Sequence, residues 1–218
     1  MKLRGAIFDF DGTLFDSMSI WDTAGEKYLR SAGKTPEENL QQTLKTMSLR
    51  QSACYLRQRY ALQQSVEEIM DGVNRTVEDF YFYQAQPKPG VMALLEELRR
   101  RGTALCIATA TDRYQIDAAL RRCGMDGFFR EIFTCTGVGH GKDEPAIFEQ
   151  ALGFLGTQKE ETPVFEDALH GARTAKAAGF PLIGVYDAHE SRQAELQALS
   201  DCYLRDFFRL EAFWQLWK

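Results

Sequence analysis

The chain has 218 residues, 44% of them hydrophobic and 26% charged, and its 26 Lys and Arg against 31 Asp and Glu leave a formal net charge of -5. That length allows one domain or one domain with an insertion, and the composition is that of an ordinary globular protein, not of a disordered, collagenous or disulfide-stapled chain. A mildly acidic chain with interspersed charges has no overall field to draw in a nucleic-acid backbone or an anionic membrane, so neither partner is expected.

Five cysteines (Cys54, Cys106, Cys123, Cys135, Cys202) form no C-x-x-C pair and mostly fall in apolar stretches, which predicts buried free thiols in a reducing compartment. Met1-Lys2 leads straight into a strand-like segment, unlike a signal peptide, and no apolar run approaches the roughly 18 residues of a membrane span. A soluble, cytoplasmic, monomeric protein is expected.

In chain order, the first segment is the apolar run LRGAIF, which ends on Asp9, passes Phe10 and meets Asp11 before Gly12 and Thr13. Residues 16–86 then read as consecutive amphipathic helices, with Trp21, Ala24 and Tyr28 on one face, Leu49, Ala53, Leu56 and Tyr60 on another, and Ile69, Val73, Val77, Phe80 and Tyr81 on a third. This block is expected to be a helical cap inserted into a core formed by residues 1–15 and 87–218, with Pro87 and Pro89 marking the return.

From residue 90 helices and strands alternate. Helix PGVMALLEELRRRG stops at Gly102, strand TALCIAT follows, and helix DRYQIDAALRRCG stops at Gly124. Strand REIFTC, helix EPAIFEQALGFLG, strand TPVFE, helix HGARTAKAAG, strand FPLIGVY and helix ESRQAELQAL continue the pattern, and FWQLW reads as a helix packing on the sheet edge. Strands that are apolar throughout and separated by helices predict a doubly wound, Rossmann-like α/β core around a parallel sheet.

Ligands of such a sheet bind beyond the carboxyl ends of the strands. Four strand ends here supply Asp9 with Asp11, then Thr109 with Ala110, then Lys142 in the following loop, then Glu166 with Asp167. Carboxylates suit a hard divalent cation such as Mg²⁺, and a lysine with a hydroxyl suits phosphate oxygens. Asp9 and Asp167 could hold the metal, Lys142 and Thr109 the phosphate. Asp9 could then attack phosphorus to form an aspartyl-phosphate while Asp11, on the same side of the strand, moves the protons.

The motifs FDFDGTLFDS, ATAT, GK and VFED, in this order and with a helical insertion after the first, resemble the haloacid dehalogenase-like hydrolases, in the branch that includes β-phosphoglucomutase and related phosphatases. The resemblance covers essentially the whole chain. It implies Asp9 as nucleophile and metal ligand and Asp11 as general acid/base whose backbone carbonyl also meets Mg²⁺. It further implies Gly12, Thr109, Ala110 and Lys142 at the phosphate, and Asp167 at the metal with Glu166 beside it. Two departures stand out: Ala110 replaces a common Asn, and the lysine loop reads KDEPA, keeping only Pro145 of the usual K-P-x-P-D.

Asp11 favours phosphoryl transfer over carbon–halogen cleavage, which needs no second acid. A β-phosphoglucomutase-like mutase typically carries a histidine where Trp21 stands and an arginine where Leu49 stands, with Arg50 adjacent. An indole cannot accept a proton, so hydrolysis of a small phosphorylated metabolite is the expected reaction. A non-catalytic phosphate-sensing or protein-binding module would tolerate decay of either acid, and both are present. Ser17 to Trp21 and Ser48 to Arg50 are the expected substrate contacts of the cap, foremost Ser17, Trp21 and Arg50. His140 and His170 read as loop hydrogen-bonding residues.

Overall fold

The computed structural model describes residues 2–44, 47 and 49–217. The chain divides into two compact units, one formed by residues 1–16 with 85–218 and the other by residues 17–84.

The first unit is built on a six-stranded sheet. Its strands are β1 (Gly5–Phe8), then, after a two-residue β2 (Phe15–Asp16) and β3 (Gln86–Pro87), β4 (Ala104–Thr109), β5 (Glu131–Thr134), β6 (Val164–Glu166), β7 (Leu182–Val185) and β8 (Cys202–Leu204). The spatial order is β5-β4-β1-β6-β7-β8 and every pairing in it is parallel. β1, β4 and β7 are buried at every position, which is why they read as unbroken apolar runs: a strand covered on both faces has no solvent side to mark with polar residues.

The second unit contains α1 (Met18–Ser31), α2 (Leu40–Leu44), α3 (Leu49–Arg59) and α4 (Val66–Tyr83). α4 opens with a reciprocal capping box in which the Ser65 hydroxyl accepts the Glu68 N–H and the Glu68 carboxylate accepts the Ser65 N–H. It buries Ile69, Val73, Val77 and Tyr81, at helical spacing.

In the first unit, α5 (Val91–Arg100), α6 (Arg113–Arg122), the short α7 (Cys135–Val138), α8 (Ala146–Leu155), α9 (Leu169–Ala177), α10 (Gln193–Leu199) and α11 (Glu211–Leu216) complete the chain. One face of the sheet packs Ile7, Cys106, Ala108 and Val164 against Ile147, Phe148, Ala151 and Leu155 of α8. Because alternate residues of a strand point to opposite faces, Phe8 and Phe165 fall on the other face, where their rings stack at 4.1 Å and Phe213 of α11 lies 5.5 Å from Phe165.

Several details depart from the sequence reading. FWQLW does not lie at the sheet edge: Phe213 covers β6, an interior strand. The edge strand β8 has only three residues between charged neighbours, too short a run to carry a periodic signal. The helix expected from Glu190 begins at Gln193, because the Glu190 carboxylate accepts the Leu169 N–H at 2.9 Å and the Arg192 N–H at 2.8 Å. Of the cysteines, all free, only Cys106 and Cys202 are buried. Cys123 and Cys135 are half-buried because they stand at helix ends.

What this topology does for function is set by β1. The chain builds outward through β4 and β5, then returns to the other side of β1 with β6. Such a reversal leaves a crevice outside the carboxyl ends of the strands that flank it, here β4, β1 and β6.

The aromatic stack predicts its own test. Phe165→Ala removes a fully buried ring between Phe8 and Phe213 and is expected to cost about 3–5 kcal/mol in urea denaturation. A loss below about 1 kcal/mol would show that the stack does not hold this face together.

Candidate active site

The end of β1 is fixed by β6 on one side. Phe8 is level with Phe165, and the Asp9 N–H donates to the Phe165 carbonyl at 2.9 Å, so Asp9 emerges beside Glu166. The chain then turns sharply: the N–H groups of Leu14 and Phe15 both donate to the Phe10 carbonyl, and the Gly12 N–H donates to the Phe15 carbonyl at 2.9 Å. Gly12 adopts φ 78° in this turn, a left-handed conformation that glycine takes without steric cost.

Lys142 reaches into this region from the loop before α8. Its ammonium donates to Asp9 Oδ1 and, at 2.7 Å, to Glu166 Oε2. Lys142 is 6% exposed, Asp9 6%, Glu166 1% and Asp167 3%. An ammonium has three donors, and two of them go to these acids. The Lys142 pKa is raised: burial alone would lower it, but the charges of Asp9 and Glu166 and the hydrogen bonds to them outweigh burial.

Asp9, Glu166 and Asp167 each place a carboxylate oxygen within 4.8 Å of the others. Three buried carboxylates around one ammonium leave negative charge uncompensated. Burial, with the charge of Asp9, raises Glu166 to about 7 even against Lys142. Burial together with Asp9, Glu166 and Asp187 pushes Asp167 well above the usual carboxylate range. A set of hard oxygen donors with surplus negative charge fits a small divalent cation.

The remaining residues expected from the sequence fall as follows. Thr109 closes β4, fully buried, and its hydroxyl oxygen accepts the Thr111 N–H at 3.1 Å, so its own proton is kept to donate. Ala110 is exposed in the bend that follows, and Asp11 is half-buried beyond β1. In the helical unit, Ser17 is buried at the start of α1, Trp21 donates its indole N–H to Tyr81 Oη at 3.1 Å, and exposed Arg50 pairs with Glu67 at 2.8 Å. Ser48 lies outside the described residues. His140 Nδ1 sits 2.9 Å from Glu144, a loop contact.

Two threonines carry contacts that sequence reasoning missed. The Thr13 hydroxyl donates to Asp167 Oδ1 at 3.0 Å, and the Thr111 hydroxyl donates to Asp11 Oδ2 at 2.6 Å. Both lie within quoted motifs, but a threonine in a loop has many local uses, and only the fold shows which oxygen it meets. A further pair, Lys88 with Asp187 at 2.9 Å, acts on Asp167 with opposing charges.

Residues 6–185 match the family described as haloacid dehalogenase-like hydrolase. The phosphorylated carbohydrates phosphatase of Thermotoga maritima is 27% identical over 197 residues, covering 90% of this chain and 91% of that protein. Hexitol phosphatase A of Escherichia coli strain K12 is 30% identical over 188 residues, covering 85% and 84%. The crystal structure of CbbY from Rhodobacter sphaeroides in complex with phosphate shares the fold, with a TM-score of 0.83, 23% identity and 96% of each chain covered.

The acid cluster makes stability depend on pH when chelator keeps cations away. Glu166 and Asp167 have folded-state pKa values above their unfolded ones, so the folded chain binds their protons more tightly. That contribution is fully present below the ordinary glutamate value of 4.5 and is lost as pH rises towards about 7 for Glu166. Glu166→Gln removes one of these titrations, so its stability relative to wild type is expected to improve steadily across that range in urea denaturation with chelator. A gap that does not change with pH would refute it.

Proposed function

Because the chain belongs to the haloacid dehalogenase-like hydrolases, we propose that it is a Mg²⁺-dependent phosphatase that releases phosphate from a small phosphorylated metabolite through an aspartyl-phosphate on Asp9. Its curated relatives include phosphatases of phosphorylated carbohydrates, hexitol phosphates and validoxylamine A 7'-phosphate, and the chain is a phosphoric monoester hydrolase. The observation that carries the finer reading is the convergence of Asp9, Lys142, Glu166 and Asp167 in one buried cluster.

Asp9 and Asp167 would hold Mg²⁺, with the Asp11 backbone carbonyl and Glu166 adjoining. When bound, Mg²⁺ supplies positive charge that offsets the repulsion between the carboxylates and a phosphate dianion. Lys142 and the Thr109 hydroxyl donate to the phosphoryl oxygens and orient the phosphorus. An Asp9 oxygen attacks phosphorus as the bond to the leaving oxygen breaks, and Asp11 gives that oxygen its proton. Asp11, now a carboxylate, takes a proton from a water that attacks the same phosphorus, which breaks the bond to Asp9 and frees phosphate. Glu166 keeps Lys142 in place throughout. The helical unit is proposed to select the substrate through Ser17, Trp21 and Arg50.

Trp21 supports hydrolysis over a mutase reaction. Its indole N–H is committed to Tyr81, and an indole offers no acceptor for a proton.

Phosphate release from para-nitrophenyl phosphate is expected to require Mg²⁺, to stop in excess chelator, and to fall by more than about 1000-fold in Asp9→Asn. Robust turnover in that variant would overturn the proposal. A panel of phosphorylated sugars, polyols, nucleotides and small acids, scored by kcat/KM, then identifies the metabolite.

A further inference from the structure

We propose that Thr111 is a positioning residue for phosphoryl transfer, its hydroxyl fixing the Asp11 carboxylate so that the proton passed to the leaving oxygen is presented in one direction. The inference rests on the reading of Asp11 as the proton carrier. The two residues come from different strand ends, 100 positions apart, and the Thr111 hydroxyl donates to Asp11 Oδ2 at 2.6 Å. While Asp11 is a carboxylate, as it is before it takes the proton of the attacking water, a contact of this length is charge-assisted and roughly twice as strong as a neutral one.

The donor is itself held. Thr111 is 4% exposed, and its backbone N–H is bonded to Thr109 Oγ1. The bend after β4 therefore cannot swing the Thr111 hydroxyl away without breaking a second hydrogen bond in a buried place.

Asp11 stands half-buried in the Gly12 turn, and the last torsion of an aspartate is broad. Accepting from Thr111 narrows that torsion and makes the two carboxylate oxygens inequivalent. With Oδ2 receiving a proton-bearing partner, the proton that Asp11 carries is placed on Oδ1. In the first step this proton goes to the leaving oxygen as the Asp9–phosphorus bond forms; in the second, Asp11 recovers one from the attacking water. Thr111 gives up no proton in either step. A general acid contributes only where its geometry is met, so the Thr111 contact acts on the rate through Asp11.

Leaving groups of different basicity separate this role from a merely structural one. Para-nitrophenolate departs readily without a proton, whereas phenolate depends more on general acid. For Thr111→Val, which keeps the shape and removes the donor, kcat/KM for phenyl phosphate is expected to fall about tenfold further than kcat/KM for para-nitrophenyl phosphate. Thr111→Ser is expected to restore it. An equal fall on both substrates, no fall on either, or a serine variant as impaired as the valine overturns the proposal. Should Thr111→Val fail to fold in thermal melting, Thr111→Ala makes the same comparison. Asp11→Asn is assayed alongside: wild-type turnover of phenyl phosphate by that variant would overturn the reading of Asp11 and this proposal together. An inactive Asp11→Asn beside an unimpaired Thr111→Val overturns the role of Thr111 alone.

Discussion

Lys142 holds its ammonium between Asp9, 133 positions earlier, and Glu166, 24 positions later, in a place where all three side chains are buried. Three carboxylates and an ammonium at that depth are costly to desolvate, and the ammonium offsets only part of the repulsion among the acids. Removing the ammonium would take away the cation that Asp9 and Glu166 share. The same surplus of negative charge that makes the cluster a strain on the fold fits the donor set of a small divalent cation.

The cluster is gathered by the sheet. β1 lies between β4 and β6, so the chain's reversal across β1 brings three strand ends together. The register matters at the level of single residues: with Phe8 opposite Phe165, Asp9 comes beside Glu166. A slip of one position would turn Asp9 towards the opposite face of the sheet, because successive strand side chains alternate. The aromatic stack of Phe8 on Phe165 thus helps to align the acids that follow each ring.

Around the acids, hydroxyl groups give direction to oxygens that charge alone would leave mobile. Thr13 meets Asp167, and Thr111 meets Asp11 while its own N–H rests on Thr109. Gly171 shows the same economy of space: a Cβ there would lie 2.9 Å from the Glu166 carboxyl carbon, so α9 approaches that side chain as closely as glycine permits. Hydrogen bonds between charged and neutral groups are strong but short in reach, which makes their arrangement sensitive to small shifts of the loops that carry them.

Much of this was legible in the amino-acid order. Unbroken apolar runs such as ALCIAT announced buried parallel strands, helical spacing announced α4, α5 and α8, and the acids, hydroxyl and lysine stood at strand ends where a doubly wound sheet binds ligands. Those features are local, and local periodicity records burial directly. Contacts between residues distant in the chain were not legible: Phe213 over β6, Glu190 at the start of α9, Thr111 on Asp11. Nor could a three-residue edge strand such as β8 declare itself. The sequence by itself determined the kind and order of the longer elements and the chemical types at the strand ends, because these follow from spacing along one chain. Only the tertiary structure decided which oxygen each donor meets, because a hydrogen bond depends on distance and angle between strands whose register no local pattern specifies.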